Sequence, residues 1–390
     1  MSIFNSVINN NNKHRFFELN EDKLPTESER KILSVIFQHT TLAQPDIAKL
    51  TGISQQSVSR LVKSLLDRGL IHQAKRVSSG RPGQPSIAVS VNPNYTYSFG
   101  VALMTDAMTI VLMDICGNVL DELRHDMPQM SQDAVCEKLV SGFEALITKH
   151  ELDKRRVFGL GVGISGYSLG GHGRFNTPPK LDEWAMIDIE DTLQERLGIP
   201  VWVENDGNAA VIGESLVGTG THYKHFAYIY IAAGIGGGII VNGELVRGTN
   251  GNGGEIGLLL PKSAYPLPTL ELLLDILQKN GVNVTGLSDM LTRFDINWPG
   301  IDEWIQQVQQ GLSQIVSALA AILDPQAIVI GGRMPQVLSR KLIPQLEIYD
   351  DDRRQSPRIK PKIIATSNPY DACAVGAAAI PFKKYFFNQS

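Results

Sequence analysis

Three short segments of this 390-residue chain hold residue types at spacings that could meet a ligand. Glu204-Asn205-Asp206-Gly207-Asn208-Ala209-Ala210 lies where a strand pattern gives way to a helix pattern. Ligands of α/β sheets bind at such strand ends. Asn205 and Asp206 offer donors and acceptors for hydroxyl groups, and Asp206 can act as a general base. The same segment also reads as an ordinary helix cap at Asp206. Ala233-Gly234-Ile235-Gly236-Gly237-Gly238 is a turn that lets backbone approach a phosphate, or simply a glycine-rich hairpin. Gly248 to Gly257 is a glycine-dense loop with one carboxylate, Glu255, which is either a ligand contact or a turn cap.

A fourth segment, residues 43–70, has a different chemistry. A helix can open at Pro45, whose missing N–H costs nothing there, and stop near Thr51-Gly52. Ser54 can then cap a second helix, with Ile53 stapled onto Val58. Val58, Leu61, Val62, Leu65 and Leu66 share one face of that helix. Ser54, Gln55, Gln56, Ser57, Ser59, Arg60 and Lys63 form the polar start and opposite face, suited to base edges and phosphates. Within that second helix no carboxylate precedes Asp67. By pattern alone this is either a DNA-binding helix-turn-helix or a helix pair buried in a larger fold.

The elements around that pair favour DNA. Residues 26–39 supply a third helix with Ile32, Leu33, Val35, Ile36 and Phe37 for a shared core. Leu70-Ile71, a basic loop with Lys75, Arg76 and Arg81, and Ile87-Ala88-Val89 read as strand, wing and strand. Arg76 and Arg81 would reach phosphates or a minor groove. Residues 40–90 hold seven Lys or Arg against Asp46 and Asp67, a net +5, whereas the whole chain is −4. A basic nucleic-acid module on an acidic body is the natural reading.

With 43% hydrophobic residues the chain can bury a large core. The three cysteines, Cys116, Cys136 and Cys373, are scattered, which fits a reducing cytoplasm and no disulfide framework. The polar N-terminus shows no signal peptide, and no apolar run approaches membrane-spanning length. The expected organisation is an arm over 1–25, a winged helix over 26–92, a hinge within 78–96 and a body over 96–390. In the body, strands are expected at 97–103, 108–114, 157–164, 199–204, 226–232, 237–242, 327–331 and 361–366. Helices are expected at 132–149, 187–197, 207–217, 269–280, 301–323 and 371–383. This alternation predicts an α/β body of two lobes.

The order and spacing of the END-x-NAA, GxGGG and GEIG segments, with Gly159 to Gly166 and Val329-Ile-Gly-Gly332, resemble the ROK family of sugar kinases and repressors over residues 96–385. With its winged helix, the chain is similar to the Mlc/NagC type of ROK transcriptional regulator. The resemblance implies a two-lobed actin/hexokinase-like (ribonuclease H-like) fold, a sugar in the interlobe cleft, and a homodimer or homotetramer. It also implies that Asn205, Asp206, Glu255 and Glu271 contact sugar.

Three departures refine this. ROK kinases open the body with an Asp-x-Gly-Gly-Thr phosphate turn, where this chain reads Ala102-Leu103-Met104-Thr105-Asp106. Asp106 adds a negative charge where triphosphate would sit. Positioning and charge neutralisation are most of phosphoryl-transfer catalysis, so ATP turnover is not expected and Asp206 is a vestigial base. The family's zinc His and CxCGxxGC knuckle are replaced by Leu258 and LLPKSAYPLPT, so no zinc is expected. Lys180 replaces a sugar-contacting Asn, which suggests a phosphorylated or acidic sugar, or else a solvent-facing lysine. The expectation is a cytoplasmic, sugar-responsive repressor that binds operator DNA. The alternative is an active sugar kinase with an accessory DNA-binding head.

Overall fold

The computed structural model describes residues 24–74, 88–170, 173–349 and 358–387. The first helix, α1 (Glu27–His39), starts in a capping box in which the Thr26 hydroxyl accepts from Glu29 N–H and the Glu29 carboxylate accepts from Thr26 N–H. After β1 (Leu42–Ala43), α2 (Gln44–Thr51) stops at Gly52, whose φ of 70° is readily adopted only without a side chain. Ser54 caps α3 (Gln55–Asp67) by accepting from Ser57 N–H. Strands β2 (Ile71–Gln73) and β3 (Ala88–Val91) complete a small sheet in the order β1-β3-β2. Ile32, Leu33, Ile36, Ile47, Val58, Val62 and Leu65 close its core. Leu61 and Leu66 are only half-buried, so the buried stripe of α3 is narrower than the apolar pattern.

The body repeats one plan. Strands β4 (Tyr97–Leu103), β5 (Ala107–Asp114) and β6 (Val119–Asp126) form an antiparallel meander. Helix α4 (Gln132–Lys149) leads to β7 (Val157–Ile164), parallel to β4. The hairpin β8 (Tyr167–Ser168) and β9 (Phe175–Asn176) and helix α5 (Ile189–Leu197) precede β10 (Val201–Asn205), parallel to β7. The strand order is β10-β7-β4-β5-β6.

Helix α6 (Asp206–Val217) crosses to the second lobe, where β11 (Phe226–Ile231), β12 (Ile235–Val241) and β13 (Glu244–Leu245) form another meander. Helices α7 (Leu270–Lys279), α8 (Leu287–Thr292) and α9 (Ile301–Leu323) follow. Then β14 (Ala327–Gly332) joins parallel to β11, α10 (Gln336–Leu342) intervenes, and β15 (Lys362–Ala365) joins parallel to β14. The order is β13-β12-β11-β14-β15. The last helix, α11 (Ala372–Tyr385), packs on β4 and β7 and against α6, while α6 packs on β12. The two helices thus lie between the two sheets.

Most expected body elements lie within two residues of their observed bounds. Strand β6, the two-residue strands β8, β9 and β13, and helices α8 and α10 are additions. The segment expected as a hinge is described from residue 88 onward, beginning with the strand expected at 87–89. Residues 88–91 form β3, and Asn92 Nδ2 donates to Gly69 O at 2.9 Å. Arg156 Nη1 then holds the carbonyls of Asn94 and Tyr95, each at 3.2 Å. Backbone carbonyls left exposed by a turn find partners on both domains, which ties the connection down.

Candidate functional site: an interlobe cleft and an exposed helix face

The cleft is built where β10 passes into α6. Asn205 caps α6, its Oδ1 accepting from Asn208 N–H at 3.1 Å, and its Nδ2 donates to Gly166 O at 3.0 Å. The cap therefore stands at Asn205, and Asp206 occupies the first helical turn. Asp206 Oδ1 accepts from Gly207 N–H at 2.9 Å. Burial raises the Asp206 pKa, only partly opposed by the hydrogen bonds from Gly207 and Ser165.

Two glycine segments close over this strand end. A side chain at Gly207 would strike Gly237 O, and one at Gly254 (φ 100°) would strike the same oxygen at 2.7 Å. Glycine at these points lets α6, β12 and the 248–257 loop meet backbone to backbone. Glu255 is delivered by that loop immediately before a short helical turn, Ile256–Leu259. Burial, then the charge of Asp206, pushes its carboxyl up to about 7. The charge of Asp206 thus helps to keep a proton on Glu255 near neutrality, which makes Glu255 a donor beside the Asp206 carboxyl. That pair suits a ligand hydroxyl, which donates to one group and accepts from the other.

A second layer was not singled out in the sequence. Arg247 holds Glu204 Oε2 through Nε at 3.0 Å and Nη2 at 2.9 Å, and Asn208 Nδ2 donates to Glu204 Oε1 at 3.1 Å. Asn252 and Ser168 exchange two hydrogen bonds, at 2.7 and 3.0 Å, joining the glycine loop to the β8 hairpin. The only sequence signals were the Glu that opens the END segment and an Arg before the glycine-dense loop.

Lys180 and Glu271 come together, Nζ to Oε1 at 3.6 Å, with both side chains more than half exposed. The sequence predicts both as ligand contacts, with a solvent-facing Lys180 as the alternative; here the two exposed side chains meet across the lobes. The place of the phosphate turn is also bridged. Arg333, directly after β14, grips Asp106 with Nη1 at 2.5 Å and Nη2 at 3.1 Å. The arginine is 4% exposed and the aspartate 20%. The negative charge expected at Asp106 is therefore neutralised from within the chain. Met104 is buried beside it. The turn has no approach glycine, and its one charged group is already bridged to an arginine. Leu258, which stands where the family pattern has its zinc His, is 73% exposed. Among the described residues no three His, Cys, Asp or Glu gather as metal ligands.

On the head, Gln55, Gln56, Ser59, Arg60 and Lys63 of α3 are exposed together, and Ser54 is exposed at its start. Ser57 is half-buried, and its hydroxyl accepts from Ser54 Oγ at 3.0 Å, so it serves the cap. Arg76 and Arg81 lie outside the described residues. Glu29, 3% exposed, positions the recognition helix. It accepts from Ser64 Oγ at 2.9 Å and from Arg68 Nη1 at 3.2 Å. Burial works to raise its pKa, but the bonds from Thr26 and Ser64 and the charge of Arg68 outweigh it and hold the carboxyl below the usual glutamate value.

The model of the ROK family matches residues 99–267, and that of the MarR family matches residues 27–82. The xylose repressor of Bacillus spizizenii is 26% identical over 230 residues, 59% of either chain. A ROK family transcriptional regulator described as a homolog of the E. coli MLC protein superposes with a TM-score of 0.68 at 20% identity, covering 95% of this chain and 96% of that one. A ROK family glucokinase from Streptomyces griseus, solved with glucose and AMPPNP, covers 73% of this chain and 98% of its own, with a TM-score of 0.59 at 21% identity. These structural likenesses concern the fold.

Proposed function

Since this chain is a ROK-family protein with a MarR-type winged helix at its front, homologous to ROK repressors, we propose that it is a repressor whose grip on operator DNA is relieved by a sugar bound beside Asp206 and Glu255. The observation that carries the reading is the coexistence of two surfaces in one chain. One is a helix face of Gln55, Gln56, Ser59, Arg60 and Lys63 open to solvent, and the other is a cleft in which the charge of Asp206 helps to raise Glu255, beside a bridged turn at Asp106. Arginine, lysine and glutamine on an exposed helix read base edges and phosphates. Carboxylates and an asparagine at a strand end bind hydroxyls.

The charges favour an unphosphorylated sugar. Lys180, Arg247 and Arg333 each face a carboxylate, Glu271, Glu204 and Asp106 respectively. A phosphate would have to displace one of those partners and would still meet Asp206 and Glu255. The reading also has the protein work in the cytoplasm as a homo-oligomer on a two-fold operator, without zinc or ATP. Among the described residues no helix is long and apolar enough to cross a membrane.

The bridged turn at Asp106 weighs against the kinase reading, in which this chain would phosphorylate a hexose. Two substitutions test the assignment by fluorescence anisotropy on DNA from the protein's own upstream region. Arg60→Ala is expected to weaken DNA binding at least tenfold. Asp206→Ala is expected to keep DNA binding and lose release by sugar, in a panel of D-xylose, D-glucose and their phosphates. Unchanged release in Asp206→Ala would remove the cleft from the account, and sugar-dependent ADP formation by the native protein would restore the kinase.

A further inference from the structure

The head does not hang from the body on its connecting strand alone. Arg30 of α1 reaches the far end of the chain, its Nε donating to Phe387 O at 2.8 Å and its Nη2 to Lys384 O at 2.9 Å and to Phe387 O at 2.5 Å. The last carbonyls of a helix lack partners within the helix and carry the negative end of its dipole. A guanidinium with several donors in a fixed fork is well matched to them. Phe37 of the same α1 packs on Phe387 with ring centroids 4.7 Å apart. One helix of the winged domain is thus clamped onto the C-terminal end of α11.

The other end of α11 lies at the cleft. Asp371 caps it, and Cys373 fills the space that a side chain at Gly163 would need, next to the Cα of Asp206. Between its ends the helix is held by backbone contacts on two sides. A side chain at Gly376 would strike Ala209 O and Gly213 N of α6, and one at Gly213 would strike Ala372 O and Gly376 N of α11. On the sheet side, Gly100 of β4 and Gly161 of β7 press on the carbonyls of Ala374 and Ala377. The Ser98 hydroxyl also donates to Ala378 O. Where backbones touch without intervening side chains, no rotamer change can absorb a relative displacement, so a shift of one helix must be shared by the next.

We propose that α11 and the Arg30 clamp are the mechanical link through which the cleft controls the head. A ligand that pulls on the first turn of α6 moves α11, and Arg30 passes the displacement to α1. From α1 the path continues through Glu29, which holds Ser64 of the recognition helix and Arg68 at its C-cap. The residue before the clamp thus grips α3, and the clamp itself grips the body. This proposal rests on the sugar-responsive reading and names how that response travels. Coupling of this kind is reciprocal, so DNA should weaken sugar binding by the same factor by which sugar weakens DNA binding.

The test compares the full-length native protein with Arg30→Ala and Arg30→Lys. DNA affinity is measured by anisotropy with and without saturating D-xylose or D-glucose, whichever stabilises the native protein in a thermal-shift assay, and sugar affinity by calorimetry. The expected result for Arg30→Ala is sugar affinity within about threefold of native and DNA affinity without sugar likewise, while the ratio of DNA affinities without and with sugar falls from tenfold or more to near one. Arg30→Lys, which keeps the charge and one reach to a carbonyl, should recover part of that ratio. A merely structural role would lower the melting temperature or DNA affinity and leave the ratio intact, and that outcome overturns the proposal. If Arg30→Ala fails to fold, the ratio in Arg30→Lys decides, with an unchanged native ratio counting against the link. A native protein whose DNA binding ignores both sugars sinks the functional reading itself, and the link with it.

Discussion

The two lobes repeat a meander followed by two parallel strands, yet their first hairpins end in opposite ways. In the first lobe the β4–β5 turn is Met104-Thr105-Asp106, with Met104 buried and Asp106 locked to Arg333. In the second, the β11–β12 turn is Ala232-Ala233-Gly234, and side chains built at Gly234 or Gly236 would meet nothing within 4 Å. One hairpin has become an interlobe fastening, while its counterpart keeps an open approach over the cleft. The same scaffold position can therefore stay open or serve the protein's own cohesion, and the residues of the turn with one arginine decide which.

The largest effect should come from breaking the fastening. Asp106→Ala leaves a guanidinium of 4% exposure without its carboxylate, and stranding one member of a buried pair costs about 3–5 kcal/mol. Urea unfolding reads this directly, and a loss under about 1 kcal/mol would mean that the pair does not hold the lobes.

A smaller effect separates packed glycines from open ones in the second hairpin. Gly237→Ala would push a methyl onto Tyr228 O at 2.6 Å and should cost about 1–3 kcal/mol by overpacking. Gly234→Ala meets open space and should stay within about 0.5 kcal/mol. If sugar approaches this turn, Gly234→Ala will nonetheless weaken sugar binding, which calorimetry can detect.

The subtlest effect is in pH. Glu255, pushed up to about 7, is mostly protonated at pH 6 and mostly ionised at pH 8. A raised carboxyl favours the protonated folded protein, so the free protein loses stability as pH climbs from the ordinary glutamate value towards 7. A sugar hydroxyl that accepts from protonated Glu255 binds that form better, so sugar affinity should fall by up to about tenfold between pH 6 and pH 8. Glu255→Gln should flatten the profile, and a flat native profile would place the sugar away from Glu255.

Much of this was legible in local pattern. Helix α9 was anticipated at its observed bounds because its apolar positions recur at helical spacing over 23 residues. Strand β6 was not, because Val119–Asp126 is an edge strand, half-buried and rich in charge, with no apolar alternation to mark it. Helices α8 and α10 span six and seven residues, too few for a period to show. In the site, Asn205, Asp206 and Glu255 could be read because each sits in a compact motif. The pairs Asp106–Arg333 and Arg30–Phe387 join residues 227 and 357 positions apart, and no local spacing encodes them. Lys180 read as a free cation for the same reason, since its partner Glu271 is remote in sequence.

The most direct test of the central claim is the affinity of the native protein for its own upstream DNA, measured by anisotropy as unphosphorylated sugar is titrated in. A steep fall in DNA affinity with one sugar, with no ADP formed when ATP is added, is the expected result. DNA affinity that ignores every sugar, or ATP turnover that requires one, would contradict it.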